Sequence, residues 1–140
     1  MRLAAAGNSY PGQVLKGLLV DYAGVLTDPD AERLYEYLHD LRAAGTRTAL
    51  VSNAPGASPG VKTELSPYFD ALVFSGEVGV AKPNRGIYLV AAERLGVAAP
   101  SCVFVDDAER NVRGAVEVGM VGVHHRSIGD TLDELAALFS

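Results

Sequence analysis

Gly17-Leu18-Leu19-Val20-Asp21 is an unbroken apolar run that ends in a carboxylate. A strand with one wet face alternates apolar and polar residues. An unbroken run suits a strand covered on both faces, as in a parallel sheet. Four similar runs follow: Thr48-Ala49-Leu50-Val51-Ser52, Ala71-Leu72-Val73-Phe74-Ser75, Cys102-Val103-Phe104-Val105-Asp106-Asp107 and Met120-Val121-Gly122-Val123-His124. Helical patterns separate them. Asp30 is placed to cap a helix through Leu34, Tyr37, Leu38 and Leu41 that stops at Gly45, and Asn84 to cap one through Ile87 and Leu95 that stops at Gly96. A short helical turn is expected after Pro59, with further helices over 108–118 and 131–139. This alternation predicts an α/β fold: a doubly wound, Rossmann-like, parallel five-stranded sheet with helices on both faces. Residues 1–16 read as a poorly ordered lead-in and 17–140 as one folded core.

Composition narrows the function classes. The chain has 140 residues, room for one domain, and 49% of them are apolar, enough for a hydrophobic core. Net charge is -5 and no Lys/Arg stripe is present, which argues against a nucleic-acid partner. The early apolar stretch Leu3-Ala4-Ala5-Ala6 is too short for a signal-peptide core, and no segment has the length of a bilayer span, so no membrane association is expected. One cysteine, Cys102, excludes an intrachain disulfide and reads as a small core residue; the expected compartment is the cytoplasm.

In an open parallel sheet, ligands bind beyond the carboxyl ends of the strands. Asp21, Ser52 and the pair Asp106-Asp107 all stand at such ends. Side chains from three strands would therefore meet at one rim. Clustered carboxylates repel one another unless a cation joins them. Mg²⁺ suits such a site, because it prefers oxygen ligands and usually keeps waters and substrate phosphate. Ser52 offers a hydroxyl donor for a phosphoryl oxygen, and Lys82 a positive charge.

Leu18-Leu19-Val20-Asp21-Tyr22-Ala23-Gly24-Val25-Leu26-Thr27-Asp28 resembles the first motif of the haloacid dehalogenase-like superfamily. Val51-Ser52-Asn53-Ala54 resembles the second. Val80-Ala81-Lys82-Pro83-Asn84 with Ile87-Tyr88 resembles the third, and Val103-Phe104-Val105-Asp106-Asp107-Ala108-Glu109-Arg110-Asn111-Val112 the fourth. The motifs occur in the family's order. The resemblance implies that Asp21 is the nucleophile, forms an aspartyl-phosphate and ligates Mg²⁺. It implies that Ser52 binds the transferring phosphoryl group with help from Asn53, and that Lys82 bridges nucleophile and phosphate. Asp107 and the Ala23 carbonyl would hold the metal, and Asp106 would support the metal or Lys82. Gly24 suits the tight turn after the first strand.

The chain departs from the family at Ala23, where most phosphatases of the superfamily carry a second aspartate as general acid and base. Such groups contribute on the order of 10²–10⁴ in rate. Phosphorylation of Asp21 by a substrate with a good leaving group remains feasible; hydrolysis would be slow. A relative that cleaves carbon–phosphorus bonds has alanine there and uses a cap lysine, but this chain has only Lys16, Lys62 and Lys82, none between Asp21 and Ser52. Relatives that remove halide carry an aromatic residue there. Asp28 as a surrogate acid competes with a plainer role as a turn or capping residue. Neither interval between motifs holds a full cap domain, so the expectation is a cap-less type with an open site. That leaves a macromolecular substrate, or a lid from a second subunit or protein partner.

Several readings stay open at this level. One is a slow or specialised Mg²⁺-dependent hydrolase acting on a phosphorylated substrate. Another is a catalytically degenerate phosphate-binding or regulatory protein of the same fold. A third is a subunit active only in an assembly. Bacterial receiver domains place their acidic pair after the first strand, whereas here it comes last. Taken singly, Asp106-Asp107 could merely cap a helix, Lys82 could be a loop lysine and Ser52-Asn53 a turn. Tyr35, Tyr37, Tyr68 and Tyr88 read as packing residues. His39, His124 and His125 have no metal-ligand spacing and receive no role.

Overall fold

The structure is a computed structural model that describes residues 14–140. Five strands, β1 (Gly17–Val20), β2 (Arg47–Ser52), β3 (Ala71–Phe74), β4 (Cys102–Asp106) and β5 (Val121–His124), form one parallel sheet in the order β3-β2-β1-β4-β5. Six helices connect and follow them: α1 (Ala31–Ala43), α2 (Pro59–Leu65), α3 (Ser75–Val78), α4 (Arg85–Leu95), α5 (Glu109–Glu117) and α6 (Ile128–Leu138). This is the expected doubly wound α/β fold, and the described residues contain no separate cap domain. No helix among them is long and apolar enough to cross a membrane.

The two-sided apolar runs are explained by two cores. Leu18, Val20, Leu50, Val103 and Val105 pack with Leu34 and Leu38 of α1, Leu65 of α2 and Ile128 and Leu135 of α6. The intervening strand residues Leu19, Ala49, Val51 and Phe104 pack on the opposite face with Ile87, Tyr88 and Leu95 of α4 and Ala115 of α5. Successive strand side chains point to opposite faces, so a strand buried twice cannot alternate.

The helix boundaries need correction in places. Asp30 precedes α1 but its side chain caps nothing; Asp28 Oδ1 instead accepts from the Asp30 amide at 2.9 Å. This gives Asp28 the turn role. Asn84 and Gly96 do bound α4 as expected: the Asn84 side chain accepts from the Gly86 amide, and Gly96 has φ +68. The last helix begins three residues before Thr131, because the Ser127 side chain accepts from the Asp130 amide. Ser75 leaves β3 and opens the unforeseen α3.

The expected lead-in over 1–16 falls mostly outside the described residues. Its last two residues belong to the fold, however. Leu15 packs against the core, and Lys16 exchanges backbone hydrogen bonds with Ser101 and Arg47.

Candidate active site

Register explains why the acids meet. Val20 pairs with Leu50 of β2 and Val105 of β4, so Asp21 emerges level with Val51 and Asp106. Ser52 stands one residue farther along β2. Backbone pairing continues past the strand, as the Asp21 amide donates to the Val105 carbonyl at 3.0 Å.

Lys82 arrives from the loop before α4. It is 4% exposed, and its Nζ donates to Asp21 Oδ1 at 2.7 Å and Asp106 Oδ2 at 2.8 Å. The aliphatic stem passes Phe104, whose ring centroid lies 5.6 Å from Nζ. A charge this deep must be paired, and two carboxylates pair it. The lysine loop is fastened by Asn53: its Oδ1 accepts from the Lys82 amide at 2.8 Å, and its Nδ2 donates to the Lys82 carbonyl at 3.0 Å. The Asn53 side chain is thus engaged with the lysine's backbone, and any contact with substrate would have to be shared with that duty.

The acidic pair divides. Asp106 is fully buried, accepting from the Ala108 amide at one oxygen and from Lys82 and Asn111 at the other. Asp107 is exposed, and its side chain makes no ion pair with a described residue. One ligand atom each from Asp21, Asp106 and Asp107 lie within 4.8 Å of one another. Beside them the turn Tyr22–Leu26 carries Ala23 at φ -66 and Gly24 at φ +87. The positive φ favours glycine there, and a Cβ at Gly24 would push the exposed Asp107 carboxylate out of its position.

Burial pushes the Asp21 carboxyl up from 3.8 to about 7; Lys82 opposes the shift and Asp106 adds to it. One ammonium group is therefore insufficient for this cluster. Ser52 is 7% exposed, and its hydroxyl is engaged by no other described residue, which leaves it free for a ligand.

Two residues at this rim had no role from sequence. Asn111, on the first turn of α5, donates to Asp106 Oδ2 at 3.2 Å. His124, paired with Asp106 across β4 and β5, has Nε2 2.9 Å from the Asp107 carbonyl. The strand-end rule applied to the fifth run would have found His124. Its neighbour His125 is buried instead, with Nδ1 2.6 Å from Thr131 Oγ1 and Nε2 3.5 Å from Asp28 Oδ2.

The sequence pattern of the haloacid dehalogenase-like hydrolase family matches residues 4–119. A pyrimidine 5'-nucleotidase of Escherichia coli is 33% identical over 129 residues, covering 85% of this chain; the chain spans 56% of that protein's length. Among solved structures, an uncharacterized protein of Corynebacterium glutamicum is 38% identical with a TM-score of 0.82, covering 89% of this chain and 95% of its own. A family enzyme of Bacteroides thetaiotaomicron, in complex with magnesium and inorganic phosphate, shares the fold at 18% identity and a TM-score of 0.64, covering 81% of this chain and 96% of its own.

Proposed function

We propose, for a chain that belongs to the haloacid dehalogenase-like hydrolase family, a Mg²⁺-dependent phosphatase-like activity in which Asp21 accepts the phosphoryl group. The observation that carries this reading is the buried triad Asp21–Lys82–Asp106, with the free hydroxyl of Ser52 one residue beyond on the neighbouring strand.

The residues present fit a hard divalent cation. Their donors are all oxygen, three carboxylates lie close together, and the raised Asp21 value marks a negative charge left under-compensated. Asp21, Asp107 and the Ala23 carbonyl would hold Mg²⁺. Asp106, saturated by Lys82, Asn111 and the Ala108 amide, would act on the site mainly through Lys82. When bound, the ion would neutralise phosphoryl oxygens and keep Asp21 ionised. The complex of a structural neighbour with magnesium and inorganic phosphate supports the same reading.

In the proposed reaction an Asp21 oxygen attacks phosphorus, the bond to the leaving oxygen breaks, and an aspartyl-phosphate results. Lys82 Nζ, already 2.7 Å from Asp21, fixes the carboxylate and offers charge to the phosphoryl group. Ser52 donates to a second phosphoryl oxygen. Water then attacks phosphorus and releases phosphate. Ala23 has no proton to give or take in either step: the first proceeds where the leaving group departs unaided, but hydrolysis of the aspartyl-phosphate stays slow whatever the substrate.

The same Ala23 favours a second reading, a phosphate-binding protein of this fold without net turnover. Hydrolysis of an activated aryl phosphate with Mg²⁺, compared between the native chain and Asp21→Asn, separates the two. A native rate well above that of the variant supports the enzyme. Equal rates end that reading.

A further inference from the structure

A cavity of about 430 Å³ lies between α1 and α2. Tyr22, which directly follows Asp21 in the chain, forms part of its wall, so one wall is the residue covalently next to the nucleophile. The other aromatic walls are Tyr35 and Tyr68, whose rings meet edge to face with centroids 4.8 Å apart. The three phenols are near neighbours. Burial first, then the proximity of Tyr22 and Tyr68, pushes the Tyr35 hydroxyl up to about 12. Packing accounts for much of Tyr35 and Tyr68, which rest on the core, but not for Tyr22, which stays 40% exposed.

Charge around the cavity has one sign. Glu32 and Glu64 line it, no lysine or arginine does, and neither glutamate makes an ion pair among the described residues. Lys62 of the same helix is turned away to Glu77, at 2.9 Å from Oε2. Aromatic faces attract cations, and nearby carboxylates add to the attraction. An anionic group would be repelled there; a neutral sugar could donate hydrogen bonds to the glutamates but would lack the charge and cation–aromatic attraction that a cation gains.

We propose that this cavity takes an alkylammonium group carried by the alcohol portion of the phosphorylated substrate. The inference rests on the reading of Asp21 as the phosphoryl acceptor. It also suits Ala23. An ammonium group close to the leaving oxygen withdraws electrons and makes the alkoxide a weaker base, so departure depends less on a general acid. Asp21 forms the new O–P bond, the P–O bond to the amino alcohol breaks, and the alkoxide takes its proton from water. Water then hydrolyses the aspartyl-phosphate, returning the carboxylate and inorganic phosphate.

The test compares choline phosphate with its neutral isostere 3,3-dimethylbutyl phosphate, in the native chain and in Glu32→Gln/Glu64→Gln. Both glutamates are exposed, and unchanged melting temperatures check that the variant folds. The native preference in kcat/KM for the cationic ester should fall about tenfold in the variant, while hydrolysis of an activated aryl phosphate stays constant. An equal preference in both proteins overturns the proposal and leaves Asp21 untouched. A second arm needs no turnover. Tetramethylammonium should perturb tyrosine fluorescence in the native chain, which has no tryptophan, and do so more weakly in Tyr35→Leu and in the double glutamine variant. No Asp21-dependent turnover of any ester would sink the catalytic reading alone, with tetramethylammonium binding still supporting the cavity as an ammonium site. No binding in the native chain overturns the cavity assignment.

Discussion

Replacing Lys82 by methionine removes a charge from the centre of the site at nearly constant volume. The native Nζ is 2.7 Å from Asp21 and 2.8 Å from Asp106, and the three residues are 4%, 6% and 0% exposed. In the variant two buried carboxylates face each other without a countercharge. Removing one partner from a buried ion pair costs about 3–5 kcal/mol. Domains of this kind have about 5–15 kcal/mol in all, so about a fifth or more of the stability is at stake. The melting temperature should drop by about 10–20 °C. The loss should depend on pH. Burial already raises the Asp21 carboxyl and Lys82 opposes that shift, so without the ammonium group the Asp21 value lies still farther above that of the unfolded chain. The folded variant therefore binds protons that the unfolded chain does not, and its deficit shrinks as pH falls from 8 toward 5. Adding Asp106→Asn to Lys82→Met should recover about 1–3 kcal/mol, because the lone repulsion is gone. Urea denaturation followed by circular dichroism, with metal chelated, measures all of this. A loss below about 1 kcal/mol, typical of exposed pairs, or a deficit that ignores pH, would refute the picture of two buried carboxylates held by one lysine charge.

Four other outcomes follow from the same geometry. Ala23→Asp should raise steady-state turnover of a phosphate monoester by about 10²–10⁴, read from phosphate release; no gain would count against Ala23 as the limiting feature. Gly24→Ala puts a side chain at φ +87 and into the Asp107 carboxylate; it should cost about 1–3 kcal/mol and weaken Mg²⁺ binding measured by titration calorimetry. Asn53→Ala removes two hydrogen bonds that fasten the lysine loop, so stability should fall by about 1–3 kcal/mol and kcat should fall while Mg²⁺ affinity is retained. In metal-free protein Asp21 has a folded value near 7 against an ordinary 3.8. Its contribution to stability should therefore be greatest below pH 4 and be lost as pH rises to about 7, a trend that denaturation of Asp21→Asn should lack.

Much of the architecture could be read from residues close together in the chain. Unbroken apolar runs identify strands buried on both faces, and their alternation with helices implies a parallel sheet. Once strands are parallel, their carboxyl ends share one rim, so Asp21, Ser52 and Asp106-Asp107 had to gather there whatever the details of packing. Chain direction alone carries that information. Helix starts were less legible: α1 does begin after Asp30, but the side chain bound to a nearby amide there is that of Asp28, and Ser127 starts the last helix three residues before Thr131.

The family resemblance assigned Asp107 to the metal and left Asp106 between the metal and Lys82; only the tertiary structure placed Asp106 on Lys82. Asp106 turns inward to Lys82 and Asn111, while Asp107 turns outward beside Gly24. Adjacent residues at a strand end face opposite ways, but which way depends on what packs against each. The same holds for Asn53, which meets the Lys82 backbone across 29 residues of sequence, and for the three tyrosines gathered from the first turn, α1 and the segment after α2. Spacing along a chain encodes period and direction. Contacts between distant loops depend on how those loops are folded against one another, and local pattern carries no record of that.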